Sequence, residues 1–192
     1  MHRFIRKRTS PLEVGGGAKL SLLLSGFSGQ SIVSVDDIVR AIDGIPGFHL
    51  EGLREIVYLP DYAPVASAVP CTGFSRSEPM GEFVQRERRI FVYRLNCPTV
   101  FFQMLHHEIG HFVFFLVIGS RVKKRWVTEI YPNSRCVTAY AAVSPWEDFA
   151  ETYAYYLLHR RVLGKELPNK LAFMRDYVFS GRPDSLKQSD RE

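Results

Sequence analysis

Between Val100 and Ile118 the chain is apolar on nearly every face of a helix, yet the same stretch carries His106, His107, Glu108 and His111. A helix that is apolar all round has to lie inside a fold. A glutamate almost never enters such a place without a partner, because an uncompensated buried charge is very costly. The segment therefore demands two things: a core around it, and a compensating group beside Glu108 and the histidines. Asn96-Cys97-Pro98-Thr99 offers capping chemistry at its entry, and Gly119 offers a stop. Its longest strictly apolar run, Phe112 to Ile118, is seven residues. A membrane span takes about 20, so the expectation is a buried core helix with no stable membrane insertion.

His107 and His111 stand four apart, which places them about 40° apart around a helix. Both imidazoles can then reach one cation. Glu108 lies about 60° from His111 and can reach a water on that cation without binding the ion. This is the H-E-x-x-H spacing of zinc hydrolases, expected by chance about once in a hundred chains of this composition. A catalytic zinc takes three protein ligands and a water. The third ligand is sought in Pro145-Trp146-Glu147-Asp148-Phe149-Ala150-Glu151. Glu147 and Glu151 are again four apart on a helix expected from Ser144-Pro145 to Leu163. One can ligate, and the other can accept the second ring N–H of a ligand histidine. The pattern leaves open which does which. It also admits a plain acidic helix start, in which Glu147 and Asp148 complement the dipole. His106 lies about 140° from His111 around the helix, a position for packing. His2, His49 and His159 lie outside any ligand spacing. Phe114 and Val117 occupy the places where a longer zinc motif would carry glycine and a third histidine.

Elsewhere the chain reads as strands followed by helices. Ser34 caps a helix over Val35–Ile42, stopped by Gly44 and Pro46. Leu53–Leu59 contains a strand, and the prolines at 60, 64, 70 and 79 mark a loop. Gly81–Val84 and Arg89–Arg94 make a hairpin, whose first strand is either an ordinary edge or one along which an extended peptide pairs. Further helices are expected over Arg121–Tyr131 and Pro168–Phe179. The fold class is α+β, with a small twisted sheet packed on the buried helix and a helical C-terminal half.

The 192 residues suit one domain. The net charge is +5, and Arg3, Arg6, Lys7 and Arg8 supply four of those positives. The basicity belongs to a leader, not to a face of the fold, so nucleic acid is not an expected partner. The organisation expected is a flexible basic leader over 1–30, one domain over 31–180 and a disordered tail over 181–192. Leu20–Leu24 is too interrupted for a convincing signal peptide; the default compartment is the cytoplasm, with secretion or delivery as an effector the alternative. Cys71, Cys97 and Cys136 are odd in number and form no C-x-x-C, which disfavours a closed cysteine zinc site. One disulfide and three reduced thiols both remain open.

His107-Glu108-Ile109-Gly110-His111, followed 36 residues after His111 by Glu147-Asp148-Phe149-Ala150-Glu151, resembles the glutamate-ligand zincins. Among them the chain is similar to the catalytic domain of anthrax lethal factor and to the bacterial Pro-Pro endopeptidases. That group has an E-x-F-A-E second motif and a tyrosine seven residues before the ligand glutamate; Tyr140 stands seven before Glu147. The likeness spans roughly residues 34–179. It implies a zincin-like fold and Zn2+ bound by His107, His111 and Glu147. It also implies Glu108 as general base, Tyr140 as transition-state donor, and Glu151 as the carboxylate supporting a ligand histidine. The implied function is a monomeric zinc endopeptidase acting on a peptide or protein substrate. The competing reading is a catalytically silent, zinc-stabilised binding or regulatory domain.

Overall fold

The computed structural model describes residues 12–13, 19–20, 22–60, 79–95 and 97–181. Leu12–Glu13 (β1) and Lys19–Leu20 (β2) form a short antiparallel pair. Leu23–Ser25 (β3), Glu55–Tyr58 (β4), Gly81–Val84 (β5) and Arg89–Val92 (β6) form a second sheet in the order β3-β4-β6-β5. β3, β4 and β6 run parallel, and β5 is antiparallel at the edge. Leu24, Ile56 and Ile90 sit side by side across the three parallel strands, and all are buried. Gly26 lets the chain leave β3: its φ is 83°, and a Cβ there would meet the Tyr58 carbonyl oxygen at 2.2 Å.

The sheet thus begins inside the stretch expected as a flexible leader over 1–30. Leu22, Leu24 and Phe27 are core residues. Most of the remaining leader, the greater part of the 60–79 loop with Cys71, and the tail beyond 181 lie outside the described residues.

Helix α1 (Val35–Asp43) carries the expected cap. Ser34 Oγ accepts from the Asp37 N–H at 3.1 Å, and Asp37 reaches back to the Ser34 N–H at 3.3 Å. Helix α2 (Pro98–Phe112) starts with Pro98 in its first turn and continues through a wider turn, Val113–Val117. Phe101, Leu105, Ile109 and Phe112 are at most 1 % exposed. By length and composition the 20 residues Pro98–Val117 meet the requirements of a membrane span, contrary to the count of strictly apolar residues. Burial explains the pattern: 61 % of that window lies inside the protein, as the core helix of the fold.

The C-terminal half is helical: α3 (Ser120–Arg125, with a wide turn to Ile130), α4 (Pro145–Leu158), α5 (Arg160–Glu166) and α6 (Pro168–Phe173, with a wide turn to Val178). The single helix expected from Ser144 to Leu163 is two. His159 leaves helical geometry (φ −133°, ψ 38°), and the redirected α5 brings Leu163 into the core. The architecture is α+β, with a small mixed sheet and mostly helical content.

Candidate metal centre

α2 and α4 cross where α2 carries Gly110 and α4 carries Ala150. A Cβ on Gly110 would lie 2.9 Å from Ala150 Cα and 3.2 Å from the Ala150 oxygen. The two helices repeat one arrangement about this contact. His107 and His111 stand three before and one after Gly110; Glu147 and Glu151 stand three before and one after Ala150. Close backbone approach therefore brings two i, i+4 pairs face to face. Ser144 places α4 by capping it, its Oγ accepting from the Glu147 N–H at 3.2 Å, with Pro145 in the first turn.

The imidazole Nε2 atoms of His107 and His111 lie 3.1 and 3.2 Å from one Glu147 oxygen, Oε2. All three candidate ligand atoms fall within 4.8 Å of one another. Donors about 2.0–2.2 Å from one tetrahedral ion sit about 3.3 Å apart, so the spacing fits a zinc-sized cation. The hydrogen-bond inventory agrees. Glu147 Oε2 is buried and makes no aligned hydrogen bond among the described residues, although two ring nitrogens crowd it.

The surrounding groups are ordered. His107 Nδ1 donates to Glu151 Oε1 at 2.8 Å, and the other Glu151 oxygen accepts from Thr138 Oγ1 at 2.8 Å. Thr138 Oγ1 in turn accepts from the Ala141 N–H at 3.1 Å. Glu151 thus ties α2 to the short turn Tyr140–Val143. Tyr140 sits at the mouth, about half exposed, its ring centroid 5.8 Å from that of His107. Phe115 stacks on His111 at 6.1 Å. Glu108 is 7 % exposed, and its Oε2 accepts the Phe83 N–H of the edge strand β5 at 2.8 Å.

The electrostatics favour positive charge in this pocket. Burial opposes a proton on His107, but contact with Glu147, the bond to Glu151 and the Glu108 charge outweigh it and raise His107 to about 10. Burial likewise opposes charge on Glu147, yet His107 and His111 bring it down to about 2. Glu108 is raised above the ordinary carboxylate range, chiefly by burial. Three carboxylates facing two imidazoles make a group that could hold a cation.

The candidate residues His107, Glu108, His111, Tyr140, Glu147 and Glu151 all come together here. His106 does not: it is turned away, with its Nδ1 on the Phe102 carbonyl at 2.6 Å. His49 is fully buried elsewhere, between the Tyr153 hydroxyl and the Val178 carbonyl, each at 2.9 Å. Cys97 and Cys136 are free thiols away from the cluster's ligand set. Sequence reasoning gave no role to Thr138 or to the Phe83 N–H. The only prior sign of Thr138 was its place two residues before Tyr140, and a backbone donor leaves no mark in a sequence.

Residues 128–171 match the family described as "Putative zinc-binding metallo-peptidase". The matched stretch contains Tyr140, Glu147 and Glu151 but not His107 or His111, so it bears on the second half of the centre independently of the first. No curated protein matches the chain.

Proposed function

We propose that this chain is a zinc-dependent endopeptidase of the glutamate-ligand zincin kind, similar to the lethal factor catalytic domain and the Pro-Pro endopeptidases. Its peptidase domain takes in residues 31–180 together with strand β3. One observation carries this reading: His107 Nε2 and His111 Nε2 converge on Glu147 Oε2 at 3.1 and 3.2 Å, with a buried glutamate next in sequence to the first histidine. The metallopeptidase match over the segment that supplies Glu147 supports it.

His107, His111 and Glu147 are the residues that would hold zinc; bound zinc supplies a polarised carbonyl and an acidified water. Glu108 takes the proton of the attacking water and returns it to the leaving amine. Burial raises its affinity for a proton above that of an ordinary carboxylate, which suits it to that exchange. The Phe83 N–H steadies one oxygen of the carboxylate and leaves the other for the proton. Glu151 fixes the His107 tautomer by accepting at Nδ1. The Tyr140 hydroxyl donates to the developing oxyanion, an interaction worth about 3 kcal/mol. An extended peptide lies along β5, beside the Glu108 carboxylate.

Glu108→Gln tests the assignment. The expected variant retains zinc by metal analysis and loses about 10²- to 10⁴-fold in kcat/KM. A variant that binds zinc and cuts as fast as the parent removes Glu108 from the base role.

A further inference from the structure

Two side-chain hydroxyls grip the backbone of the short turn Tyr140–Val143. The Ala141 N–H donates to Thr138 Oγ1 at 3.1 Å, and the Ala142 carbonyl accepts from the Tyr131 hydroxyl at 3.1 Å. The two bonds differ in what lies behind them. Tyr131 reaches the turn from the end of the wide turn that follows α3. Thr138 reaches it from the metal centre: the same hydroxyl donates to Glu151 Oε2 at 2.8 Å, and Glu151 Oε1 accepts from His107 Nδ1 at 2.8 Å.

The direction of each proton follows from the groups. An amide N–H only donates, and a carboxylate only accepts. Thr138 therefore offers a lone pair to Ala141 and its proton to Glu151, and both capacities of one hydroxyl are spent on the site. Water is a poor substitute for either bond. Ala141 is fully buried, and the Glu151 side chain is 12 % exposed. The β-branch of threonine restricts the rotamer that aims the hydroxyl. Without the hydroxyl, the second oxygen of Glu151 loses its donor, the carboxylate can pivot, and the His107 ring that leans on it follows. The Ala141 N–H is stranded at the same time, one residue after Tyr140, whose ring stands 5.8 Å from that of His107.

We infer that Thr138 is a positioning residue for the reaction: its one hydroxyl fixes both the carboxylate behind His107 and the turn that presents Tyr140, and so sets the zinc ligand and the transition-state donor at one separation. The inference rests on the endopeptidase reading and deepens it.

The test compares Thr138→Val, which keeps the shape and removes the hydroxyl, with Thr138→Ser, which keeps the hydroxyl, in the full chain. Thr138 is half-buried, so the core tolerates either variant. Zinc affinity is read by competition with a chelator, and kcat and KM are read at saturating zinc on a peptide that the parent cuts. Thr138→Val should bind zinc about tenfold more weakly and lose about tenfold in kcat with KM nearly unchanged. Thr138→Ser should return both to within about twofold of the parent. Tyr131→Phe, which cuts the other bond to the turn without touching Glu151, should leave zinc affinity unchanged. In a Tyr140→Phe background the kcat loss from Thr138→Val should shrink below about twofold, because the group being positioned is gone. Unchanged zinc affinity and kcat in Thr138→Val overturn the inference and leave the peptidase standing. So do an equal kcat loss in both backgrounds, a serine variant no better than the valine one, or a matching loss of zinc in Tyr131→Phe. No cleavage of any library peptide by the zinc-loaded parent overturns the peptidase reading, and with it the part of Thr138 in a reaction.

Discussion

Two buried polar clusters hang on adjacent positions of α4. Asp148 faces α6, where Lys170 Nζ meets its two oxygens at 2.6 and 2.7 Å, both side chains fully buried. Asp148 also accepts from the Val137 N–H and the Cys136 thiol, and the Lys170 ammonium lies 5.6 Å from the Trp126 ring centroid. Glu147, one residue earlier, faces α2 and joins the two histidines without an aligned hydrogen bond on Oε2. The first cluster is closed: one positive group meets one negative group, and the remaining oxygen capacity is filled by neighbouring donors. The second is open, with surplus negative charge and donor atoms aimed at a common point. Closure marks a structural pair, which pins the first turn of α4. Openness marks a group that could take a cation.

This contrast can be broken from either side. Lys170→Met leaves Asp148 buried and uncompensated. The expected cost is about 3–5 kcal/mol of stability, read as a fall in the denaturant midpoint. A cost below about 1 kcal/mol would mean that the pair does not hold α4. The next effect belongs to a third buried group, His49, whose Nε2–H donates to Val178 and whose Nδ1 accepts from Tyr153. Burial lowers His49 to about 4 from 6.5. The folded state therefore prefers it neutral. Its contribution is complete above about pH 6.5, declines as pH falls, and is lost near pH 4, amounting to about 3 kcal/mol. The difference in unfolding free energy between the parent and His49→Gln should shrink across that window; a difference that does not change with pH would refute the assignment.

The smallest effect sharpens the open cluster. Glu151→Gln keeps the shape but weakens the acceptor at His107 Nδ1. Zinc affinity should fall about 10- to 100-fold, measured by competition with a chelator, while the melting temperature of the chelated protein hardly moves. The same substitution with unchanged zinc affinity would leave Glu151 a purely structural anchor for Thr138. Zinc bound tightly by the parent, with no peptide cut, would instead favour the silent binding domain.

Much of the centre was legible because it contradicts its surroundings. His107, Glu108 and His111 in an apolar helix announce a cation, and Glu147 and Glu151 repeat the spacing. The spacing alone left the choice between those glutamates open, and only the family resemblance pointed to Glu147. The choice depends on how two helices cross, and nothing local in 145–151 encodes that. Ser34, Gly44 and Pro168 marked helix boundaries through their own backbone chemistry. Strand β3 was missed because Leu23–Ser25 becomes a strand only by pairing with Glu55–Val57, some thirty residues away. The break at His159 was missed because neither glycine nor proline marks it. His49 was given no role because its partners stand 104 and 129 residues further on.

The contact of Gly110 with Ala150 has one more consequence. Where side chains separate two helices, the gap inherits their rotamers and can drift. Here main chain meets main chain, and main chain inside a helix has almost no alternative states to sample. The distance between the two pairs of ligand-bearing residues is therefore a dimension of the backbone itself. It is kept by the absence of a side chain at Gly110, and any added methyl there is read directly as a displacement of the site.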